Sequence, residues 1–166
     1  DPTNEGLEMW SANSGGVRNV KGELILPTEY EEPTMDENKR RGMSTNFGIW
    51  WDGDMLRELL DHETVQKYDW KTGEANVIKR FDGRFNNGTK SNPCLSGDIL
   101  GDWREEVLVR DAQSTMLKLY TTDIPTDHRI TCLMQDVPYR LSIATENVAY
   151  NQPPEPGFYL GVGMKK

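Results

Sequence analysis

Ser96-Gly97-Asp98-Ile99-Leu100-Gly101-Asp102-Trp103-Arg104-Glu105-Glu106-Val107 is the stretch whose reading decides the fold. Gly101 to Leu108 aligns with Gly53-Asp54-Met55-Leu56-Arg57-Glu58-Leu59-Leu60 at a shift of 48 residues. In each copy an acid lies four residues before a second acid, and that second acid opens a strand. A weaker third copy begins at Asn4-Glu5-Gly6-Leu7-Glu8-Met9-Trp10, with Val17 to Glu23 as its second strand. Its Glu8 lies 50 residues before Glu58. Several short strands per unit, repeated about every 40–50 residues, is the pattern of β-propeller blades. The spacing predicts an all-β fold: a partial β-propeller of about three blades. Propellers close with about four blades or more, so further blades are expected from outside this sequence.

The rest of the chain reads the same way. Lys71-Thr72-Gly73-Glu74 predicts a hairpin turn between Thr64–Trp70 and Asn76–Phe81. Glu106–Arg110 and Thr115–Tyr120 read as strands, and Tyr139–Ala144 alternates as a further strand. Residues Tyr30 to Gly42 are polar and aperiodic and predict a long loop. Three prolines between Asn151 and Gly157 exclude regular structure there.

Composition narrows the partners. Nineteen basic against 27 acidic residues give a net charge of −8, which argues against nucleic acid, because phosphate binding needs a basic face. No window approaches the roughly 18 apolar residues of a membrane span. The start, Asp1-Pro2-Thr3-Asn4-Glu5, reads as a cut inside a longer chain. Cys94 and Cys132 fit either a disulfide or two reduced buried thiols.

In the opening stretch Asp98, Asp102 and Glu106 occupy positions 1, 5 and 9 of a loop, and Arg104 at position 7 offers a backbone carbonyl. Calcium takes 6–8 oxygens and suits such a loop, although Leu100 stands where a third acid is usual. A solvated acidic stripe on a helix has the same spacing. Two glycines inside the run and a β-branched strand after it argue against that helix. Asp52, Asp54 and Glu58 form the related set, against the alternative of a plain hairpin turn at Asp52-Gly53. Trp50, Trp51, Trp70 and Trp103 are expected in packing rather than sugar stacking. His62 and His128 read as surface or turn residues. By residue type alone, Lys90 reads as solvated and Tyr150 as packing.

Ser96–Val107, Trp50–Leu60, Tyr139–Ala144, Asn147–Pro154 and Gly157–Gly161 together resemble the family 11 polysaccharide lyases, the rhamnogalacturonan lyases. These runs cover most of the chain from about Asn46 onward. The resemblance implies that residues 1–166 are the C-terminal part of an eight-bladed catalytic propeller whose upstream blades are absent here. It implies bound calcium, secretion, and rhamnogalacturonan I as substrate, cleaved by β-elimination at the rhamnose–galacturonate bond. Within the resemblance, Lys90 and Tyr150 are expected to meet substrate: Lys90 as base or carboxylate partner, Tyr150 as orienting group or proton donor. The isolated fragment is expected to be inactive. A non-catalytic, calcium-stabilised propeller module that binds polysaccharide or protein remains the other reading.

Overall fold

The structure is a computed structural model, and it describes residues 1–11, 14, 16–27, 44–148 and 152–164. The loop expected at Tyr30–Gly42 and the residue Tyr150 lie outside the described residues.

Three small antiparallel sheets follow one another along the chain. The first pairs β1 (Gly16–Arg18) with β2 (Leu24–Pro27), and Met9 bridges to Arg18 on the other side. The second has four strands in sequence order: β3 (Phe47–Ile49), β4 (Glu58–Asp61), β5 (Thr64–Asp69) and β6 (Glu74–Arg80). The third has three: β7 (Leu95–Gly97), β8 (Glu106–Arg110) and β9 (Leu117–Tyr120). β4 and β8 begin 48 residues apart, at Glu58 and Glu106, so the sequence repeat is a structural one. The predicted turn at Lys71–Glu74 joins β5 to β6. Among the described residues the regular structure is mostly sheet, and none of these sheets closes on itself.

Two expectations need correction. The strand expected over Val17–Glu23 stops at Arg18. There the Asn19 side chain accepts from the backbone N–H of Lys21 and Glu23 and folds the chain into a turn, as Asn does when it mimics a backbone partner. The strand expected at Tyr139–Ala144 is a helix, α1 (Val137–Thr145). Asp136 caps it by accepting from Tyr139 N, and Pro138 sits in its first turn, the usual helix-start chemistry. Tyr139 is buried and Ile143, one turn on, packs against the same cluster, so the apolar spacing serves the helical period there.

Two cores result. Phe47, Ile49, Trp51, Leu60, Val65, Phe81, Phe85, Val107 and Val109 join the four-stranded sheet to the three-stranded one. Phe81 supplies its aromatic centre, 5.7 Å from Trp51 and 4.9 Å from Tyr120. Trp50, Trp103, Leu133, Tyr139 and Leu160 form the second core, which packs α1 and the tail against the loops that precede β4 and β8. Trp50, Trp51 and Trp103 are thus buried packing residues. Cys94 and Cys132 are free thiols.

Candidate functional site: two acid turns and the Lys90 loop

Each inner strand, β3 or β7, leads into a loop that turns back into β4 or β8. The two loops share one hydrogen-bond plan, offset by the 48-residue repeat. Glu58 Oε2 accepts from the N–H of Trp51 (2.8 Å) and Asp52 (3.1 Å). Glu106 Oε2 accepts from Ile99 and Leu100, both at 2.9 Å. Asp54 Oδ1 accepts from Leu56 N, and Asp102 Oδ1 from Arg104 N. The glycine that begins each motif is left-handed, Gly53 at φ 89° and Gly101 at φ 85°, a conformation that costs an L-residue about 1–2 kcal/mol. The strand-opening acid therefore clasps the amides of its own loop. Charge-assisted bonds to the backbone make this a local closure.

The loops differ in how they treat cations. Among the described residues one acidic group has the geometry to hold a metal: Asp52, Asp54 and Glu58, with one carboxylate oxygen each within 4.8 Å of the others. The Lys67 ammonium reaches all three. It lies 2.8 Å from Asp52 Oδ2, 2.8 Å from Asp54 Oδ1 and 2.5 Å from Glu58 Oε1, and it also donates to the Leu56 carbonyl at 3.1 Å. Burial alone would lower the pKa of Lys67, but Glu58 and the two aspartates outweigh it and hold the pKa above its ordinary value. The ammonium thus contacts oxygens of the same three carboxylates that could hold an ion.

Asp98, Asp102 and Glu106 are not drawn together in that way. Asp98 is fully buried and spends Oδ1 on Gly101 N and Oδ2 on Leu133 N, which fastens the loop to the segment before α1. Asp102 pairs with Arg104, Nη2 to Oδ2 at 2.5 Å, and the Arg104 guanidinium also donates to the Ile124 carbonyl. Glu106 Oε1 accepts from Thr121 Oγ1 at 3.1 Å.

Two further buried acids escaped the sequence reading. Glu105 accepts from Trp50 N (2.8 Å) and from the Tyr139 hydroxyl (2.6 Å), and Tyr139 Oη accepts in turn from Asp98 N. Burial pushes Glu105 up to about 7, against the pull of Arg57. Glu146, just after α1, accepts from Ser96 N and Ser96 Oγ, and burial lifts it to about 7 as well. The one available signal was Glu105 beside Glu106; both are buried, where a strand with one covered face would expose one of them. Lys67 was legible too: in the Asp61–Thr64 hairpin, the register that pairs Leu59 with Gln66 sets Glu58 opposite Lys67.

Lys90 lies elsewhere. It ends a short 3-10 turn, Gly88–Lys90, ahead of β7, whereas the acid turns follow β3 and β7. β3 and β7 each run from the side of Asn46 and the Lys90 loop to an acid turn. Asn46 anchors the Lys90 loop, its Nδ2 donating to the Lys90 carbonyl (2.9 Å), the Ser91 carbonyl (3.3 Å) and Asp61 Oδ1 (2.9 Å). Ser91 is left-handed at φ 50° and buried. The Lys90 side chain is exposed. At this end Asp61, His62 and Glu63 form the β4–β5 turn, with His62 Nε2 3.6 Å from Asp61 Oδ1. His128 packs edge-on against Trp103.

The whole chain, residues 1–166, matches the family model described as "Rhamnogalacturonan lyase family 11, C-terminal domain". It is 46% identical over 168 residues to the rhamnogalacturonan endolyase YesW of Bacillus subtilis (strain 168), covering 99% of this chain and 24% of that protein. It is 43% identical over 175 residues to the rhamnogalacturonan exolyase YesX of the same organism, covering 100% of this chain and 28% of that protein. The solved structure of a Bacillus licheniformis rhamnogalacturonan lyase superposes with a TM-score of 0.86 at 46% identity, over 99% of this chain and 26% of that one. YesW superposes with a TM-score of 0.84 over the full chain. The chain thus spans about a quarter of the length of these relatives. It belongs to rhamnogalacturonan lyase family 11, as that family's C-terminal domain.

Proposed function

We propose that this chain is the C-terminal part of a propeller-shaped, secreted rhamnogalacturonan lyase and supplies one wall of its polysaccharide cleft. The similarity to rhamnogalacturonan lyases along the entire chain, at 42–46% identity, carries the reading. Three small open sheets in sequence order suit a propeller sector, and the remaining blades of the same protein are its proposed neighbours. Leu117 and Leu119 on the outer strand β9 are 59% and 46% exposed, apolar surface of the kind that further chain would cover.

The proposed substrate contacts are Lys90 and Tyr150. β-Elimination at galacturonate needs its carboxylate neutralised, its C5 proton removed and its departing oxygen assisted. Lys90, exposed on an anchored loop, is suited to pair with the carboxylate. Alternatively, placed at C5 in the assembled cleft, it would serve as the base. An acidic chain repels an acidic polymer, so a basic group at the contact point matters. Calcium is proposed as a requirement of the intact lyase; at the acid turns described above, Lys67 and Arg104 already place cations against the carboxylates.

The test is direct. Intact protein mixed with rhamnogalacturonan I should generate the ultraviolet absorbance of an unsaturated uronide. Binding without that absorbance would favour a non-catalytic polysaccharide-binding module.

A further inference from the structure

We infer that Lys67 is a tethered cation that takes the place of a divalent ion in the first acid turn, so that this turn binds no calcium in the native protein. The Lys67 ammonium has the ligand set of a small hard cation. Three carboxylate oxygens from Asp52, Asp54 and Glu58 and one backbone carbonyl from Leu56 surround it at 2.5–3.1 Å. Glu58 is 1% exposed, and its other oxygen is occupied by two loop amides. Asp52 is part-buried and Asp54 exposed, but the buried Glu58 carboxylate calls for a cation against it.

The internal repeat supplies an independent comparison. By register, Glu58 faces Lys67 across β4 and β5, and Glu106 faces Thr121 across β8 and the end of β9. Where lysine becomes Thr121, the acid Asp52 becomes Leu100 in the 48-residue alignment. The third carboxylate and its lysine are lost together. In the second turn the position of Leu56 is taken by Arg104, whose guanidinium pairs with Asp102. Each turn therefore carries one basic side chain against its own acids, by a different route. Both cations are covalently part of the chain, so these turns stay closed at any calcium concentration.

Calcium itself is the probe, with the intact protein as the sample. Calcium bound per chain is measured after equilibration for the native protein, Lys67→Arg and Lys67→Met, and manganese-soaked crystals locate ions by anomalous scattering. The inference predicts no ion on Asp52, Asp54 and Glu58 in the native protein or Lys67→Arg. It predicts one additional ion per chain in Lys67→Met, with a calcium-dependent rise in its melting temperature that the native protein lacks at this turn. A native protein with an ion on these carboxylates and Lys67 displaced would overturn it. So would a folded Lys67→Met that gains no ion. If Lys67→Met does not fold, the native anomalous map decides alone: a peak at the turn refutes the inference, and peaks confined to other places support it.

Discussion

At the residue scale, the acids at the head of β4 and β8 work chiefly on backbone amides. Glu106 closes a loop of which Ile99 is 42% and Leu100 60% exposed, so water can partly replace it. Glu106→Ala should cost about 1–3 kcal/mol, the range for stranding polar groups at a partly buried site. Urea unfolding of the intact protein measures it. Gly101→Ala should cost about 1–2 kcal/mol by the same assay, because φ is 85° there. Sequence spacing located both turns and six of their acids, and missed Glu105. It could not distinguish an acid that holds a metal from one that holds amides, because both uses favour the same residue at the same turn. The deciding features were Lys67 and Arg104, one a cross-strand neighbour and the other within the motif.

At the scale of elements, the repeat and the hairpins were readable because turn residues and β-branched runs are local signals. Helix α1 was not, because Tyr-Arg-Leu-Ser-Ile-Ala satisfies both a period of two and a helical period. Asp136 ahead of Pro138 was the clue that should have prevailed. Asp136 accepts from Tyr139 N at the helix start and from Gly157 N in the tail. Asp136→Ala should therefore cost about 1 kcal/mol from the cap alone, and Asp136→Asn should recover most of it. Loss of helical signal and earlier proteolysis of the tail would report the effect. The four-stranded sheet has an outer strand, β6, that the three-stranded sheet lacks. No residue pattern announced this difference, since the chain after Tyr120 remains as polar and turn-rich as before.

At the scale of the whole molecule, buried carboxylates set the pH response. Glu105 and Glu146 are raised from the usual carboxylate range to about 7 by burial. A folded-state pKa above the unfolded one means that the folded form binds the proton more tightly. The stability these groups contribute is complete below about pH 4.5 and is lost as pH rises through about 7. Glu146→Gln should flatten part of that decline, seen as a smaller drop in melting temperature between pH 4.5 and pH 8. An unchanged slope would mean that Glu146 ionises in the fold as it does in water.

On the proposed function, the acid turns lock the sheets and the Lys90 loop, seated on Asn46, is the part that meets substrate. Turnover on rhamnogalacturonan I and melting temperature, recorded together for intact Lys90→Ala and Glu106→Ala, test that division most directly. Lys90→Ala should lower kcat by about 10²–10⁴-fold if the lysine moves a proton, or raise KM if it only binds, and leave the melting temperature as it was. Glu106→Ala should lower the melting temperature while each folded molecule turns over at the native rate. A Lys90→Ala protein with native kinetics, or a Glu106→Ala protein that is fully stable yet inactive, would contradict it.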